Sequence, residues 1–220
     1  MNKALLFRRY ILFVISLFFI GLGIALTKHG GLGVSPISAV ANVVSLRFPV
    51  FTFGTWLTGC YCLFLLVQVL LLRKKFALIH LLQLPASFLT GYFADFGLQL
   101  AQNFPCKTYP AQLLFVLLGS IVLAFGITLS ILANVILNPG EAIVKAIADT
   151  AHKAFETTKT VFDVCWVILA AVLSLLFFDG KLVGVREGTV LSALLVGLFI
   201  KIMRPPLRGL CEKAFTVRKE

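Results

Sequence analysis

The chain has 220 residues, 60% of them hydrophobic and 13% charged, with a mean hydropathy of +1.00. Soluble domains carry about a quarter charged residues, so this composition excludes an ordinary soluble fold. The net charge of +11 does not point to nucleic acid, because the basic residues gather at the ends of apolar runs rather than along one stripe.

A helix crossing a hydrocarbon core of roughly 30 Å needs about 20 residues. The first apolar run, residues 10–27, follows Lys3, Arg8 and Arg9. That order also suits a signal peptide. No small-residue cleavage site follows it, and Gly21 and Gly23 suit helix packing, so we read a span. Next comes "GGLGVSPISAV", with Gly30, Gly31 and Gly33 leading into Ser35 and Pro36. Glycine and proline at this density punctuate a chain. Proline is favoured in the first turn of a helix and serine at its N-cap, so Ser35, Pro36 and Ser38 read as a capped helix start after irregular backbone.

Residues 51–72 and 79–100 form the second and third spans, separated by Arg73, Lys74 and Lys75. Asp95 lies deep in the third. An ionisable residue at that depth is costly unless partnered, which makes it a functional candidate. Residues 112–133 form the fourth span. "NVILNPGEAI" follows, where Asn138 and Pro139 repeat the pattern of cap and proline, and Glu141 suits the positive end of the helix dipole. The later turns of this helix, with Lys145, Asp149, His152 and Lys153, are polar enough to leave the membrane. Residues 160–178 and 188–203 are the fifth and sixth spans. Asp163 stands one turn into the fifth, where an interfacial position explains it as well as a functional one. Lys201 stands near the end of the sixth, where snorkelling suffices.

The two halves resemble one another. At a single offset Gly23 falls on Gly126, Ile24 on Ile127, Leu26 on Leu129 and Pro36 on Pro139. With small shifts Thr55 falls on Thr160, Tyr61 on Trp166, Gly91 on Gly197, Phe93 on Phe199 and Asp95 on Lys201. The expected fold is therefore all-α, with six transmembrane helices in two three-span repeats, residues 1–104 and 105–220. Each repeat carries a short helix broken by glycine and proline. Three spans is an odd number, so the halves must enter the membrane from opposite sides.

The charges agree with that count. Lys3, Arg8, Arg9, Arg73, Lys74, Lys75, Lys145, Lys153, Lys159, Arg204, Arg208, Lys213, Arg218 and Lys219 fall on one side. Only Lys28, Arg47, Lys107, Lys181 and Arg186 fall on the other. The positive-inside rule then puts both termini in the cytoplasm.

Irregular backbone at membrane depth is tolerated only when packed in protein or lining a cavity. Free N–H groups at a helix start suit an anion or carboxylate. Two such starts, converging near the midplane, make Ser35, Pro36, Ser38, Asn138, Pro139, Glu141 and Asp95 the candidate binding residues. Short interfacial helices at each surface are the alternative. The five cysteines form neither a metal pattern nor a disulfide framework. Catalytic motifs are missing, so neither an enzyme nor a cofactor is expected.

"GLGVSP", "FGTW" and "GTVLSALLVG", in that order, resemble the YczE/YyaS/YitT-type bacterial integral membrane proteins over roughly residues 10 to 205. The resemblance implies a multi-pass protein of the bacterial inner membrane. That family often carries Trp-Asp straight after Ser-Pro. Here Ile37 and Ser38 stand there, so no acidic role transfers to that position, and Glu141 is the comparable acid of the second half.

The leading functional expectation is a small permease for an unidentified small polar solute, embedded in the lipid bilayer. A membrane subunit of a larger complex is the alternative. Asn138-Pro139-Gly140 is similar to the aquaporin Asn-Pro-Ala, but the half-helix follows the first span of its repeat rather than the second, which weighs against a channel.

Overall fold

The computed structural model describes residues 3–215. Arg218 and Lys219 of the basic tail lie outside them, as does the side chain of Lys213. Among the described residues the regular elements are all helices, with no strand: α1 (Lys3–His29), α2 (Ala39–Arg47), α3 (Phe53–Leu72), α4 (Gln83–Ala101), α5 (Tyr109–Ala133), α6 (Pro139–Ala151), α7 (Phe155–Phe177) and α8 (Glu187–Phe215). Short 3-10 turns occupy Pro36–Ser38, Arg73–Lys75 and Leu78–Leu82.

Five of these helices are long and apolar enough to cross a membrane: α1, α3, α5, α7 and α8. This is a multi-pass membrane protein. The third expected span differs in part. Its helix begins only at Gln83, after a 3-10 turn, and runs 19 residues. Gln83, Ser87, Thr90 and Asp95 lower its hydropathy, and it is not among the five. The last helix, expected to stop near residue 203, continues through Pro205 and Pro206 to Phe215. Proline is tolerated in membrane helices when neighbours re-satisfy the freed carbonyls.

α1 and α5 form the centre. In α5, 56% of the most apolar stretch is buried, against 11% in α7 and in α8. Glycine makes the α1–α5 contact possible, and the contact is reciprocal. A Cβ on Gly23 would overlap the backbone of Leu123, and one on Gly126 would lie 2.6 Å from the backbone nitrogen of Ile20. Around this pair, α4 packs on α1 and α8 on α5. α3 packs on α6 and α7 on α2, again in matched fashion.

The match stops at one place. α3 and α4 are joined along their length by polar contacts. Gly54 N–H donates to Asp95 Oδ1 at 2.7 Å, and Thr58 Oγ1 donates to Ser87 O at 3.2 Å. Buried Gln68 and Gln83 exchange amide hydrogen bonds of 3.1 and 3.0 Å. Interhelical hydrogen bonds of this kind contribute roughly 0.6–2 kcal/mol each in membrane proteins. No comparable interface joins α7 to α8 among the described residues. These two helices stand apart, and a cavity lies between them.

Candidate functional site

Both irregular segments run into the interior at their helix-start ends. Leu32, Val34 and Ser35 are buried ahead of the first helix start, and Ile136 and Asn138 ahead of the second. Gly31 (φ 71°) and Gly33 (φ 118°) take left-handed backbone that favours glycine. A side chain on Gly33 would also overlap Thr189 at the start of α8. At the second break, Asn134 ends α5 in the left-handed region with φ 50°, a conformation asparagine tolerates. The first turns of α6 are buried and its later turns, at Lys145 and Asp149, are exposed. The helix therefore starts inside the protein and leaves it, rather than lying along a surface.

Ser35 and Asn138 occupy the expected N-cap positions, but neither side chain caps its helix. Ser35 Oγ donates instead to Ser38 Oγ at 2.8 Å, while Ser38 Oγ donates to Ser35 O at 2.9 Å. The Asn138 amide is turned to the Glu141 carboxylate and the Tyr61 hydroxyl. The reciprocal pattern of the fold recurs here. Tyr61 of α3 reaches across to the second break, and Trp166 Nε1 of α7 donates to Ile37 O of the first at 3.0 Å.

A cavity of about 700 Å³ opens from these helix starts toward the gap between α7 and α8. Its size is that of a small-molecule pocket. Ile24, Ile127, Val196 and Ile200 supply apolar wall, and Ser35, Tyr61, Asn138 and Glu141 supply a polar floor. Asn138 and Glu141 are 3% and 6% exposed, yet Asn138 Oδ1 and Glu141 Oε2 have no hydrogen-bond partner among the described residues. Burying such acceptors unpaired is costly, and both atoms are shut off from solvent although their residues line the cavity.

Farther along the wall, Lys159 and Asp163 form an i,i+4 ion pair at 2.8 Å, and both act electrostatically on Glu141. At the exposed end stand Lys201 and Arg204, without an ion pair among the described residues. A smaller cavity of about 200 Å³ touches Gln68, His80, Gln83, Lys145 and Asp149 but neither proline.

Of the residues singled out from the sequence, Ser35, Pro36, Asn138 and Glu141 line the larger cavity. Ser38 lies behind Ser35, fully buried, and Pro139 sets the start of α6 without lining the space. Asp95 stands in the α3–α4 seam, where it accepts from the first turn of α3. Sequence alone does not single out Tyr61, Lys159, Lys201 or Arg204 as binding residues, and it explains Asp163 equally well by an interfacial position. The signals were present. Lys159 and Asp163 share a face one turn apart, Lys201 and Arg204 share a face of α8, and Tyr61 falls on Trp166 in the repeat.

The model of a family described as "Family of unknown function (DUF6198)" matches residues 7–205. The chain is also similar to "Uncharacterized protein YyaS" of Bacillus subtilis (strain 168). The two are 24% identical over 198 residues, covering 90% of this chain and 92% of that protein. No solved structure matches the chain.

Proposed function

The chain belongs to the DUF6198 family, and from that premise we propose that this member is a carrier for a small polar solute. It works in the bacterial inner membrane with both termini in the cytoplasm. α4 serves as the sixth span, and the two halves form an inverted repeat. The carrying observation is the cavity of about 700 Å³ into which both proline-started helix segments bring polar groups. Carriers built from inverted repeats bind their cargo at such discontinuous helices near the midplane.

The reciprocal contacts support the repeat. Gly23 with Leu123 and Gly126 with Ile20 are one contact seen twice, as at a two-fold interface. The unequal seams support alternating access. With α3 and α4 closed and α7 and α8 parted, the cavity extends to Phe155, Lys159, Lys201 and Arg204, which lie toward the cytoplasmic side in this orientation. Exchanging the two arrangements would expose the same site to the other side. The bulk of the lipid-facing surface is apolar, with Leu66, Leu70, Val164 and Leu176 exposed on α3 and α7, so the bilayer is its partner. The role is binding and release rather than catalysis.

The test is counterflow in proteoliposomes loaded with a fractionated metabolite extract. Time-dependent, saturable exchange that falls with Glu141→Gln supports the carrier. Exchange equal to that of protein-free vesicles for every fraction overturns it.

A further inference from the structure

We infer that the solute is a small organic anion with an apolar body, its charge held at Lys201 and Arg204 and its body running inward along the cavity. This rests on the carrier reading and names the solute class. Most polar side chains of the cavity wall are already engaged. Ser35 Oγ is bonded to Ser38 Oγ at 2.8 Å, and Lys159 is held by Asp163 at 2.8 Å. The Tyr61 hydroxyl is bonded to Asn138, and Thr160 also has a partner. Asn138 Oδ1 and Glu141 Oε2 are shut off from solvent. The wall left to a ligand is mainly hydrocarbon, with Ile24, Ile127, Val196 and Ile200 the largest contributors between α1, α5 and α8.

Lys201 and Arg204 are the exception. They border the same cavity and are exposed, and neither has an ion pair among the described residues. One turn apart on α8, they share a face, and Arg204 can hold a carboxylate through two parallel hydrogen bonds. Membrane topology asks only for cations at this end of the helices. Arg73, Lys74 and Lys75 meet that demand after α3 while lining neither this cavity nor the smaller one. Lys201 and Arg204 differ in bordering an apolar space large enough for a small molecule.

Other solutes use only part of this arrangement. A cation would sit beside two uncompensated positive charges. A neutral apolar molecule would gain nothing from them, and an inorganic anion would leave the hydrocarbon wall unfilled. An anion with a hydrocarbon body uses both.

The experiment uses the full chain in lipid nanodiscs, with protein-free nanodiscs as the blank. The probes are 3-phenylpropanoate with 3-phenylpropanamide, 4-methylpentanoate with 4-methylpentanamide, and acetate. Affinities are read by calorimetry and by ligand-induced thermal shift. For at least one of the two bodies, the carboxylate should bind roughly tenfold or more tighter than its amide. That same carboxylate should exceed acetate by roughly tenfold or more, through the apolar area it buries. The double change Lys201→Ala, Arg204→Ala should bring the carboxylate down to the level of its amide. Added salt should weaken the carboxylate and spare the amide, a readout on the unaltered protein that does not depend on the variant folding.

Amides that bind as tightly as their carboxylates for both bodies overturn the inference, and so does acetate matching both carboxylates. Carboxylate affinity that survives the double change in a folded variant would make the two cations membrane anchors only and overturns it as well. So does the absence of binding by all five probes. The carrier reading stands or falls separately: counterflow of metabolite fractions registers a carrier of any other solute class, whereas carboxylate binding without any exchange keeps this site and removes the carrier.

Discussion

Ile37 and Gly140 meet: a Cβ built on Gly140 would lie 2.9 Å from Ile37 Cδ1. Each residue directly follows the proline that starts its helix, so equivalent points of the two breaks are in contact. Gly140→Val should overpack this contact and destabilise the protein by about 1–3 kcal/mol. Adding Ile37→Ala should restore part of the loss, giving a coupling of about 0.5 kcal/mol or more. Thermal melts of the four proteins of that cycle in detergent measure it. Strict additivity would mean that the two breaks are not in contact.

The parted and closed seams call for opposite responses at Gly197 and Gly91. A Cβ on Gly91 would overlap Thr58 Oγ1 and Gly54 O, whereas one on Gly197 meets nothing within 4 Å. Gly91→Ala should therefore cost about 1–3 kcal/mol, while Gly197→Ala leaves the melting temperature unchanged. Gly197→Phe would project a ring into the cavity and should suppress counterflow with little loss of folded yield.

Asp95 acts on the α3–α4 seam through Gly54. Asp95→Ala strips the acceptor from an N–H in the first turn of α3, a loss of about 1–3 kcal/mol. Asp95→Asn retains an oxygen acceptor and should cost less. Calorimetric affinity for cavity ligands should remain at the wild-type value in Asp95→Asn, because Asp95 does not line that space. A large affinity loss there would tie the seam directly to the binding site.

Cys106 lies in the connection of residues 102–108 between α4 and α5, and burial raises its thiol above the ordinary value. The thiolate is the reactive form. A raised value means less thiolate at neutral pH, so maleimide labelling should be slow there and accelerate as pH increases. The proposed orientation puts this connection on the outer face. An impermeant maleimide should then label Cys106 in intact cells, in a variant whose other cysteines are alanine. Labelling only after permeabilisation would reverse the orientation.

What the sequence disclosed follows from how local each cause is. Gly31 and Gly33 demand special backbone whatever surrounds them, so the first break was visible residue by residue. Pro139 did the same for the second. Gly23 and Gly126 stood in register because α1 and α5 meet closely at both places. Asp95 drew attention as a buried acid, but its partner is a backbone N–H on another helix, and no pattern in the chain specifies how α3 and α4 pack. Lys159, Lys201 and Arg204 sit where snorkelling explains a cation equally well, and only the parting of α7 from α8 makes them face a common space. The polar side chains of α4 lowered its hydropathy for the same non-local reason, since Gln83 is satisfied only by Gln68.

The unequal burial of the helices has a mechanical consequence. α7 and α8 border mostly acyl chains, and a fluid neighbour yields and reforms without a fixed shape. Displacing either helix breaks few directional contacts, whereas sliding α1 against α5 would drive backbone into backbone at Gly23 and Gly126. Compliance is concentrated at the rim and stiffness at the axis. The molecule resembles a hinged door on a fixed post, with the post cast in glycine.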